Sequence, residues 1–467
     1  MSHHIKSLSL ILLVSVITIT AYAEEVFTRT QVTESDEYQL FVNGEAIPIY
    51  IASQQYDGGA YFFANFTVDH ASTITVRSTH DLTDASVLPS RHKFRIKHRG
   101  SHEFSFKACK SFHAVVEWDG RTRPLVLLAN DPETDTPAPS DPHVLYYGPG
   151  RHEAGLIRLT SGQTLYLADG AVVCGGVLAE GDDITICGRG ILTGDGYERW
   201  QGPAGHVLRA NRCHNFTLRD ITVAHSYSWT VVFTECDGVE VSGLKVCASN
   251  MLNDDAIDIC NCSNVHIHHS FLRCQDDNFA IKGLAPDENR PCENIHIHDC
   301  ECWTDCANVF RIGYECDAAY FRNIRAHDID VLHYAREYRE PTHHWSNCVF
   351  WVQPANGMSI DHCRFEHFRI HADGLNAILL EAKSCDDTTG PGSDYQPYGR
   401  GGTAHDLLFR DIRVDGLQEN FTGPIWLEGR SEEESIRHIR LKNIRYFGRR
   451  ITPDSPEVTI KDFASFE

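Results

Sequence analysis

A short motif that recurs every 23 to 30 residues constrains the fold more than any other feature. Each copy opens with Asn or Gly and continues as a run of alternating apolar and other residues, and four clear copies begin at Asn215, Gly238, Asn264 and Asn294. Alternation predicts strands, and Asn or Gly suits a tight turn with positive φ. One unit is too short to close a core, so units must stack. The repeat predicts a parallel β-helix, because β-propeller blades, the main alternative, run about 40 to 50 residues.

The chain before the repeats has a different pattern. Between residues 24 and 130, short alternating runs such as Tyr38–Val42 and Thr73–Val76 are separated by turns, which is typical of a β-sandwich. Residues 131–142 are rich in proline and acidic residues and predict an extended linker. We therefore expect an all-β protein, in which a right-handed parallel β-helix over residues 143–455 is preceded by a smaller N-terminal β-sandwich domain.

The first residues are typical of export. An apolar run from Leu8 to Thr20 follows a short positive segment and precedes Ala21-Tyr22-Ala23. This pattern predicts a signal peptide over residues 1–23, cut after Ala23. The alternative is a membrane anchor, but the apolar run is shorter than the roughly 20 residues that a spanning helix needs. We expect a secreted protein, extracellular or periplasmic.

The net charge limits the classes of partner, and the cysteine content limits the disulfides and metal sites that we expect. The formal net charge of −22 disfavours nucleic acid and anionic membranes, so neither is expected as a partner, and we expect a monomer. The 17 cysteines are odd in number, which argues against a disulfide knot. No CxxC pair is present, so a structural zinc site has little support. The spacing of Cys213, Cys236 and Cys260 instead predicts an internal stack.

Three carboxylates are the candidate catalytic residues. Asp255 precedes the run Ala256–Ile259, and Asp276 and Asp277 precede a similar run about one coil later. Because a buried unpaired carboxylate is costly, we expect these acids at bends that face a common outer groove. Crowded carboxylates repel, so at least one pKa should rise, giving an acid beside a base. Such a pair suits glycoside hydrolysis; the alternatives are a structural Ca²⁺ site or solvated turns.

At these residues the sequence resembles the parallel β-helix glycoside hydrolases, which include polygalacturonases of family 28 and dextranases and isopullulanases of family 49. Asn253-Asp254-Asp255 matches the Asn-x-Asp pattern, and Asp276-Asp277 followed by Ala280-Ile281-Lys282 matches the second motif. The resemblance implies that Asp276 is the general acid, that Asp255 and Asp277 hold the attacking water, and that the sugar configuration is inverted. It also implies that residues 143–455 form the catalytic domain.

Two departures from the polygalacturonase pattern bear on the substrate. Residues 307–313, where a Gly-His-Gly element is expected, contain no His, and no Arg-Ile-Lys triplet follows. A galacturonate subsite would use those basic residues. The resemblance and the net charge of −22 therefore favour a neutral α-glucan of dextran type, with pectin as the alternative.

Five further residues are candidates for substrate binding: Asn253, Lys282, Arg311, Trp229 and Asn308. Trp229 could stack on a sugar ring or pack against a loop, and Arg311 could bind sugar hydroxyls or form a structural salt bridge. Lys282 could lower the pKa of a neighbouring carboxylate or contact the substrate.

The histidines of two repeats are a separate feature. His266, His268 and His269 occur one repeat before His296 and His298. They could stack with the geometry of a metal chelate, but solvent-facing alternate positions on two coils are the favoured interpretation.

Our first hypothesis is an inverting glycoside hydrolase that binds a poly- or oligosaccharide along the β-helix, without a metal or other cofactor. The second is a Ca²⁺-dependent polysaccharide lyase, in which the same acids would bind the ion. The third is a non-catalytic carbohydrate-binding β-helix.

Overall fold

The structure is a computed structural model. It describes residues 31–55, 59–69, 71–284, 290–334, 348–373, 378–384, 400–417 and 424–467. The predicted signal peptide, residues 1–23, lies outside the described residues.

The first eleven described strands form two sheets. Their bounds are β1 Thr33–Glu34, β2 Tyr38–Val42, β3 Glu45–Ile47, β4 Tyr50–Ser53, β5 Ala60–Thr67, β6 Ser72–Ser78, β7 Ser86–Leu88, β8 Lys97–His98, β9 Glu103–Ala108, β10 Phe112–Glu117 and β11 Leu125–Asn130, with a 3-10 turn at Ser90–His92. A six-stranded sheet has the order β1-β4-β5-β11-β10-β7, and a five-stranded sheet has the order β3-β2-β6-β9-β8. The two sheets share one apolar core, to which Leu40 contributes from the second sheet and Phe62 from the first.

All later strands belong to one continuous stack. They are β12 Val144–Tyr147, β13 Gly150–Leu159, β14 Thr164–Leu167, β15 Ala171–Asp182, β16 Thr185–Gly188, β17 Ile191–Thr193, β18 Leu208–Arg219, β19 Thr222–Ala224, β20 Val231–Thr234, β21 Asp237–Ser242, β22 Lys245–Cys247, β23 Ile257–Cys260, β24 Ser263–His268, β25 Phe271–Cys274, β26 Phe279–Leu284, β27 Cys292–His298, β28 Glu301–Thr304, β29 Phe310–Asp317, β30 Phe321–His333, β31 Cys348–Gln353, β32 Ser359–Asp361, β33 Arg364–Asp373, β34 Ile378–Lys383, β35 Thr403–Leu417, β36 Ile425–Glu428, β37 Ile436–Tyr446, β38 Arg449–Ile451, β39 Val458–Ile460 and β40 Ala464–Phe466.

Apart from β38, which pairs antiparallel with β37, these strands stack as the coils of a parallel β-helix, which confirms the prediction from the repeat. Each central coil contributes one strand to each of three faces. Face 1 contains β21, β24, β27 and the start of β30; face 2 contains β22, β25 and β28; face 3 contains β20, β23, β26 and β29. Side chains in register stack inside the coils, for example Ile257 on Phe279 and Phe279 on Phe310. Aliphatic and aromatic columns of this kind form the core.

The Asn and Gly residues that open each repeat occupy the predicted turns. Asn215, Gly238, Asn264 and Asn294 have φ values of 55°, 75°, 56° and 55°. The side-chain amide of Asn294 donates to Asn264 Oδ1 at 3.1 Å, and that of Asn323 donates to Asn294 Oδ1 at 2.7 Å. Asn therefore serves both the left-handed backbone and a hydrogen-bonded column along the coils.

One member of the predicted cysteine stack is different in the structure, where Cys262 takes the place of Cys260. Cys213, Cys236 and Cys262 lie in the core, and the Cys236 amide contacts Cys262 Sγ at 3.3 Å. Cys260 instead lies on β23 in register with Lys282. The stacking cysteines each precede the opening Asn or Gly by two residues, so the turn sets their register. Among the described residues all 16 cysteines are free thiols.

The six-stranded sheet packs against face 2. Its Tyr61, Phe63 and Val126 join a buried apolar cluster with Phe271 and Trp303 of the β-helix. Residues 131–142, predicted as the linker, contain no strand. In the described part of the chain, no helix is long and apolar enough to cross a membrane.

Candidate active site

Successive turns from face 2 to face 3 bring the predicted acids together. Asp255 lies in the turn between β22 and β23, and Asp276 and Asp277 lie in the turn between β25 and β26. One carboxylate oxygen from each of the three residues lies within 4.8 Å of the other two. The parallel register of β23 on β26 stacks these turns, because Ile257 pairs with Phe279.

Asp254 joins the two acid-bearing turns. Its Oδ2 accepts hydrogen bonds from the amides of Ser249 and Asn250 at 2.7 and 3.1 Å, within its own turn. Its Oδ1 accepts from the amides of Gln275 and Asp276 at 2.7 and 3.2 Å, in the next turn. This fully buried carboxylate thereby satisfies four amides that have no strand partner and fixes the spacing of the acids.

A buried lysine holds Asp255. Lys282 Nζ lies 2.8 Å from Asp255 Oδ2 and 2.7 Å from Asp258 Oδ1, and all three side chains are almost entirely buried. The same Nζ lies 3.7 Å from the centre of the Trp229 ring. Lys282 therefore stabilises two buried carboxylates, and its position is fixed from three sides.

Asp277 is held by the next turn and by an arginine. Its Oδ1 accepts hydrogen bonds from the Asn308 amide at 2.9 Å and from Asn308 Nδ2 at 2.8 Å. Arg311 Nε lies 3.8 Å from Asp277 Oδ2 and 3.7 Å from Glu315 Oε2. The Arg311 guanidinium also lies over the rings of Tyr314 and Trp351. Asp277 is thus fixed in orientation, with Oδ2 on the side of the arginine.

Asp276 is the one acid of the three that is partly exposed. Asn253 Nδ2 lies 3.5 Å from its Oδ2, and Arg199 donates a short hydrogen bond to Asn253 Oδ1. Asn253 itself has a φ of 60°, which Asn tolerates better than most residues. Asp276 is therefore the carboxyl placed to reach a ligand from the outside.

Burial and the neighbouring carboxylates raise the pKa values of Asp276 and Asp277 by different amounts. Burial, followed by the charges of Asp255 and Asp277, raises the pKa of Asp276 well above its usual range. Burial also raises the pKa of Asp277, to about 6, although the Arg311 charge opposes it. Burial alone would lower the pKa of Lys282, but Asp255 and Asp258 raise it well above its usual range. Asp276 therefore keeps its proton to higher pH than a free aspartate, beside Asp277, whose pKa is about 6.

Aromatic side chains border the acids. The partly buried Trp229 stacks in parallel on His206, with ring centres 5.3 Å apart, and meets Trp200 edge to face at 6.3 Å. Trp200 is 50% exposed and follows Arg199, the residue that contacts Asn253. The exposed Trp200 ring, next in sequence to the arginine that contacts Asn253, offers a surface on which a sugar can stack.

The structure brings all eight predicted site residues into one region, with one difference in exposure. Asp255 and Asp277 are buried rather than facing an open groove, because Lys282 and Arg311 supply the pairing charges that burial needs. Three features were not predicted from the sequence. They are the hydrogen bonds by which Asp254 joins the two acid-bearing turns, the pairing of Asp258 with Lys282, and the turn that carries Arg199, Trp200 and His206. Asp258 alternates with the core residues Ile257 and Ile259, so it points out of the core, where it pairs with Lys282 and is fully buried. The long turn between β17 and β18 carries no repeat signal.

The same three acids are a possible divalent-cation site, since one oxygen from each lies within 4.8 Å of the others. The Lys282 ammonium and the Arg311 guanidinium contact two of them, and these positive charges oppose a cation there.

A family model supports the resemblance over this region. The model for Glycosyl hydrolases family 28 matches residues 178–305, which include every acid-bearing turn described above. The resemblance to these hydrolases is confirmed. The matched segment ends beside Asn308 and Arg311, so those two residues lie outside it.

Individual relatives agree over the same part of the chain. A polygalacturonase of Chamaecyparis obtusa is 29% identical over 114 residues, covering 21% of this chain and 22% of that protein. A probable polygalacturonase of Arabidopsis thaliana is 30% identical over 124 residues, covering 26% of each. The chain thus spans about a quarter of the length of these relatives. Among solved structures, Dex49A from Penicillium minioluteum has a TM-score of 0.62 at 13% identity, covering 92% of this chain and 95% of that one. That likeness concerns the fold.

Proposed function

We propose that the chain is a glycoside hydrolase whose site is the cluster of Asp255, Asp276 and Asp277. The observation that carries the proposal is a partly exposed carboxyl with a raised pKa, Asp276, within 4.8 Å of two buried carboxylates. Glycoside hydrolysis requires one carboxylic acid to protonate the leaving oxygen and a second carboxylate to assist the nucleophile. The match of the surrounding segment to family 28 supports the same chemistry.

Asp276 is the proposed general acid. It faces outward and remains protonated to higher pH than a free aspartate, so it can donate to the glycosidic oxygen. Asp277 and Asp255 are the proposed pair that holds and deprotonates water, since each is oriented by its own partner, Asn308 or Lys282. Asn253 and Arg199 position Asp276.

Product stereochemistry tests the water mechanism. The resemblance implies inversion, yet inverting enzymes usually hold their two carboxyls about 6.5–9.5 Å apart, and retaining enzymes about 5–5.5 Å. The closest oxygens here lie within 4.8 Å. We propose inversion, with the water held by Asp255 and Asp277 together rather than by a carboxylate across the sugar. Proton NMR of the first anomer released should show the inverted configuration; a retained configuration would instead assign a carboxylate as nucleophile.

The proposed substrate class is a neutral α-glucan of dextran type, with polygalacturonate as the second candidate. Two cations that contact the acids, Lys282 and Arg311, are engaged by carboxylates, which favours a neutral sugar. The names of the sequence relatives favour polygalacturonate. Initial rates of reducing-end release on dextran, pullulan, galactan and polygalacturonate would decide. We expect the highest initial rate on dextran. An initial rate on polygalacturonate that is tenfold higher or more would reverse the assignment.

A Ca²⁺-dependent lyase is the rival that the three-acid geometry also permits. It requires a uronate, releases an unsaturated product that absorbs ultraviolet light, and stops in chelator. We expect hydrolysis without that absorbance and no loss of rate in EDTA, because Lys282 and Arg311 already neutralise two of the acids.

The two N-terminal sheets are proposed to be the predicted β-sandwich domain of residues 24–130. Their common apolar core supports this assignment. Residues 143–455 are proposed as the catalytic domain.

A further inference from the structure

Face 1 carries a group of imidazoles and carboxylates that the proposed hydrolase does not use. Its members stand in two rows across consecutive coils: Glu240, His266 and His296 in one row, and His268, His298 and His327 in the other. Parallel pairing places Glu240 opposite His266, and His266 opposite His296. Because alternate residues of a strand point to the same side, both rows lie on the outer surface of face 1.

Ring nitrogens in this group approach each other closely. His266 Nε2 lies 2.9 Å from His298 Nε2, and His296 Nε2 lies 2.9 Å from His327 Nε2. His266, His296 and His298 each place one ring nitrogen within 4.8 Å of the others. Zinc–nitrogen bonds of about 2.0–2.1 Å hold tetrahedral ligand nitrogens roughly 3.3 Å apart, so small rotations would bring the three onto one ion.

Carboxylates on the far side of the rings determine which nitrogens carry hydrogen. His266 Nδ1 lies 3.0 Å from Glu240 Oε2, and His298 Nδ1 lies 2.7 Å from Asp299 Oδ2. An ionised carboxylate only accepts, so each Nδ1 is the donor. In the neutral rings the two Nε2 atoms that face each other at 2.9 Å therefore both present lone pairs. That contact is repulsive unless a cation, either a proton or a metal ion, lies between them.

We propose that His266, His296 and His298 form a binding site for a divalent transition-metal ion of the zinc class on face 1. Glu240 and Asp299 would orient the ligands, since a carboxylate on the opposite ring nitrogen is the usual support of a metal-binding histidine. His266 lies on β24 and the other two ligands on β27, so the ion would join two adjacent coils.

The site is separate from the acids. The acid-bearing turns connect face 2 to face 3, whereas this group lies on the strands of face 1. The His266 and His298 side chains are 38% and 17% exposed, so an ion can enter from solvent. Metal binding should therefore leave hydrolysis unchanged and be measurable on its own.

Calorimetric titration of the untagged, EDTA-treated full chain with ZnSO₄ tests the proposal. We expect one Zn²⁺ per chain, and at least a tenfold weaker Kd in both His266→Ala and His298→Ala. His214→Ala is the matched control, because His214 is an outward-facing histidine two coils away that pairs with a different carboxylate, Asp182. It should bind as tightly as the wild type.

The orienting carboxylate gives a second, independent variant. Asp299→Asn should weaken Zn²⁺ binding about 10- to 100-fold, as loss of an outer partner usually does. A parallel titration with Co²⁺, followed by absorption, should give ligand-field bands without thiolate charge transfer. This result distinguishes histidine ligands from the 16 thiols of the described chain.

Two results would overturn the site. One is no saturable Zn²⁺ binding by the wild type, which would assign a shared proton to the His266–His298 contact. The other is metal bound elsewhere, shown either by stoichiometric binding that persists in the His266→Ala/His298→Ala double variant or by Co²⁺ spectra with thiolate bands.

Discussion

At the residue scale, the acids combine a functional arrangement with a stability cost. Asp276 has a raised pKa in the folded chain, so the folded state binds its proton more tightly than the unfolded state does. The associated stability is complete below the unfolded pKa, near 4, and is lost as pH rises through the folded value. The crowding that suits Asp276 to its proposed role as general acid thus makes the fold less stable at neutral pH.

Asp276→Asn should therefore raise stability while it removes the acid. The difference in unfolding free energy between variant and wild type should be small near pH 4 and grow towards pH 8, because Asn has no charge to desolvate. Urea unfolding at a series of pH values measures it. Asp169→Asn, at an exposed turn, is the matched control and should show no such trend.

The pH dependence of the rate should report Asp277. Its pKa of about 6 predicts that kcat/KM falls as pH drops below about 6, because the proposed base becomes protonated. Arg311 lowers this pKa, so Arg311→Gln should move the acidic limb of the profile to higher pH and Arg311→Lys should move it less. Identical acidic limbs in the wild type and Arg311→Gln would remove Asp277 from the base role.

Lys282 should stabilise the fold as well as the site. Lys282→Met leaves Asp255 and Asp258 buried without their cation, and breaking a buried pair usually costs about 3–5 kcal/mol. Chemical denaturation measures the loss, with the exposed Lys442→Met as control. Adding Asp258→Asn to Lys282→Met should recover part of it; no recovery would mean that Lys282 acts by packing on Trp229.

At the scale of elements, the residues at the turns were the ones from which the coils and the acids could be predicted. The Asn and Gly positions predicted the coils because each marks a backbone with positive φ, and the acids were found because they stand just before apolar strands. The contribution of Arg199 and Trp200 could not be predicted, because the turn that carries them contains no copy of the repeat motif. Burial of Asp255 and Asp277 also depended on cations one coil away.

The turn asparagines make a prediction of their own. Asn264→Ala should destabilise the chain by about 1–2 kcal/mol, because a residue with a β-carbon resists the left-handed backbone, here at φ 56°. Asn264→Gly keeps the backbone freedom and loses only the hydrogen bonds along the column, so it should cost less. Equal losses in urea unfolding would assign the effect to the column instead.

At the scale of the whole molecule, the N-terminal sheets support the site from behind. Arg273, on face 2, lies between the rings of Tyr61 and Trp303, at 3.9 and 3.8 Å. Gln275, beside Asp276, donates to Gln55 Oε1 at 2.6 Å. The sequence pattern distinguishes the two regions but does not predict this contact, because the contact depends on outward-facing apolar residues of face 2 meeting a particular sheet.

Deletion of residues 24–140 should therefore abolish folding, because the N-terminal region is required rather than accessory. It would expose the apolar cluster of face 2 that includes Phe271 and Trp303. We expect an aggregated product without a cooperative thermal transition. A soluble fragment with full activity on short substrates would show that the N-terminal region is dispensable.

The central claim is that Asp276 donates the proton in glycoside hydrolysis. The most direct measurement is the rate of reducing-end release by purified wild type and Asp276→Asn, side by side on dextran and polygalacturonate, with Asp169→Asn as the folded control. We expect release by the wild type and by Asp169→Asn, and a loss of about 10²–10⁴-fold in kcat for Asp276→Asn. Near-normal turnover by Asp276→Asn would contradict the account.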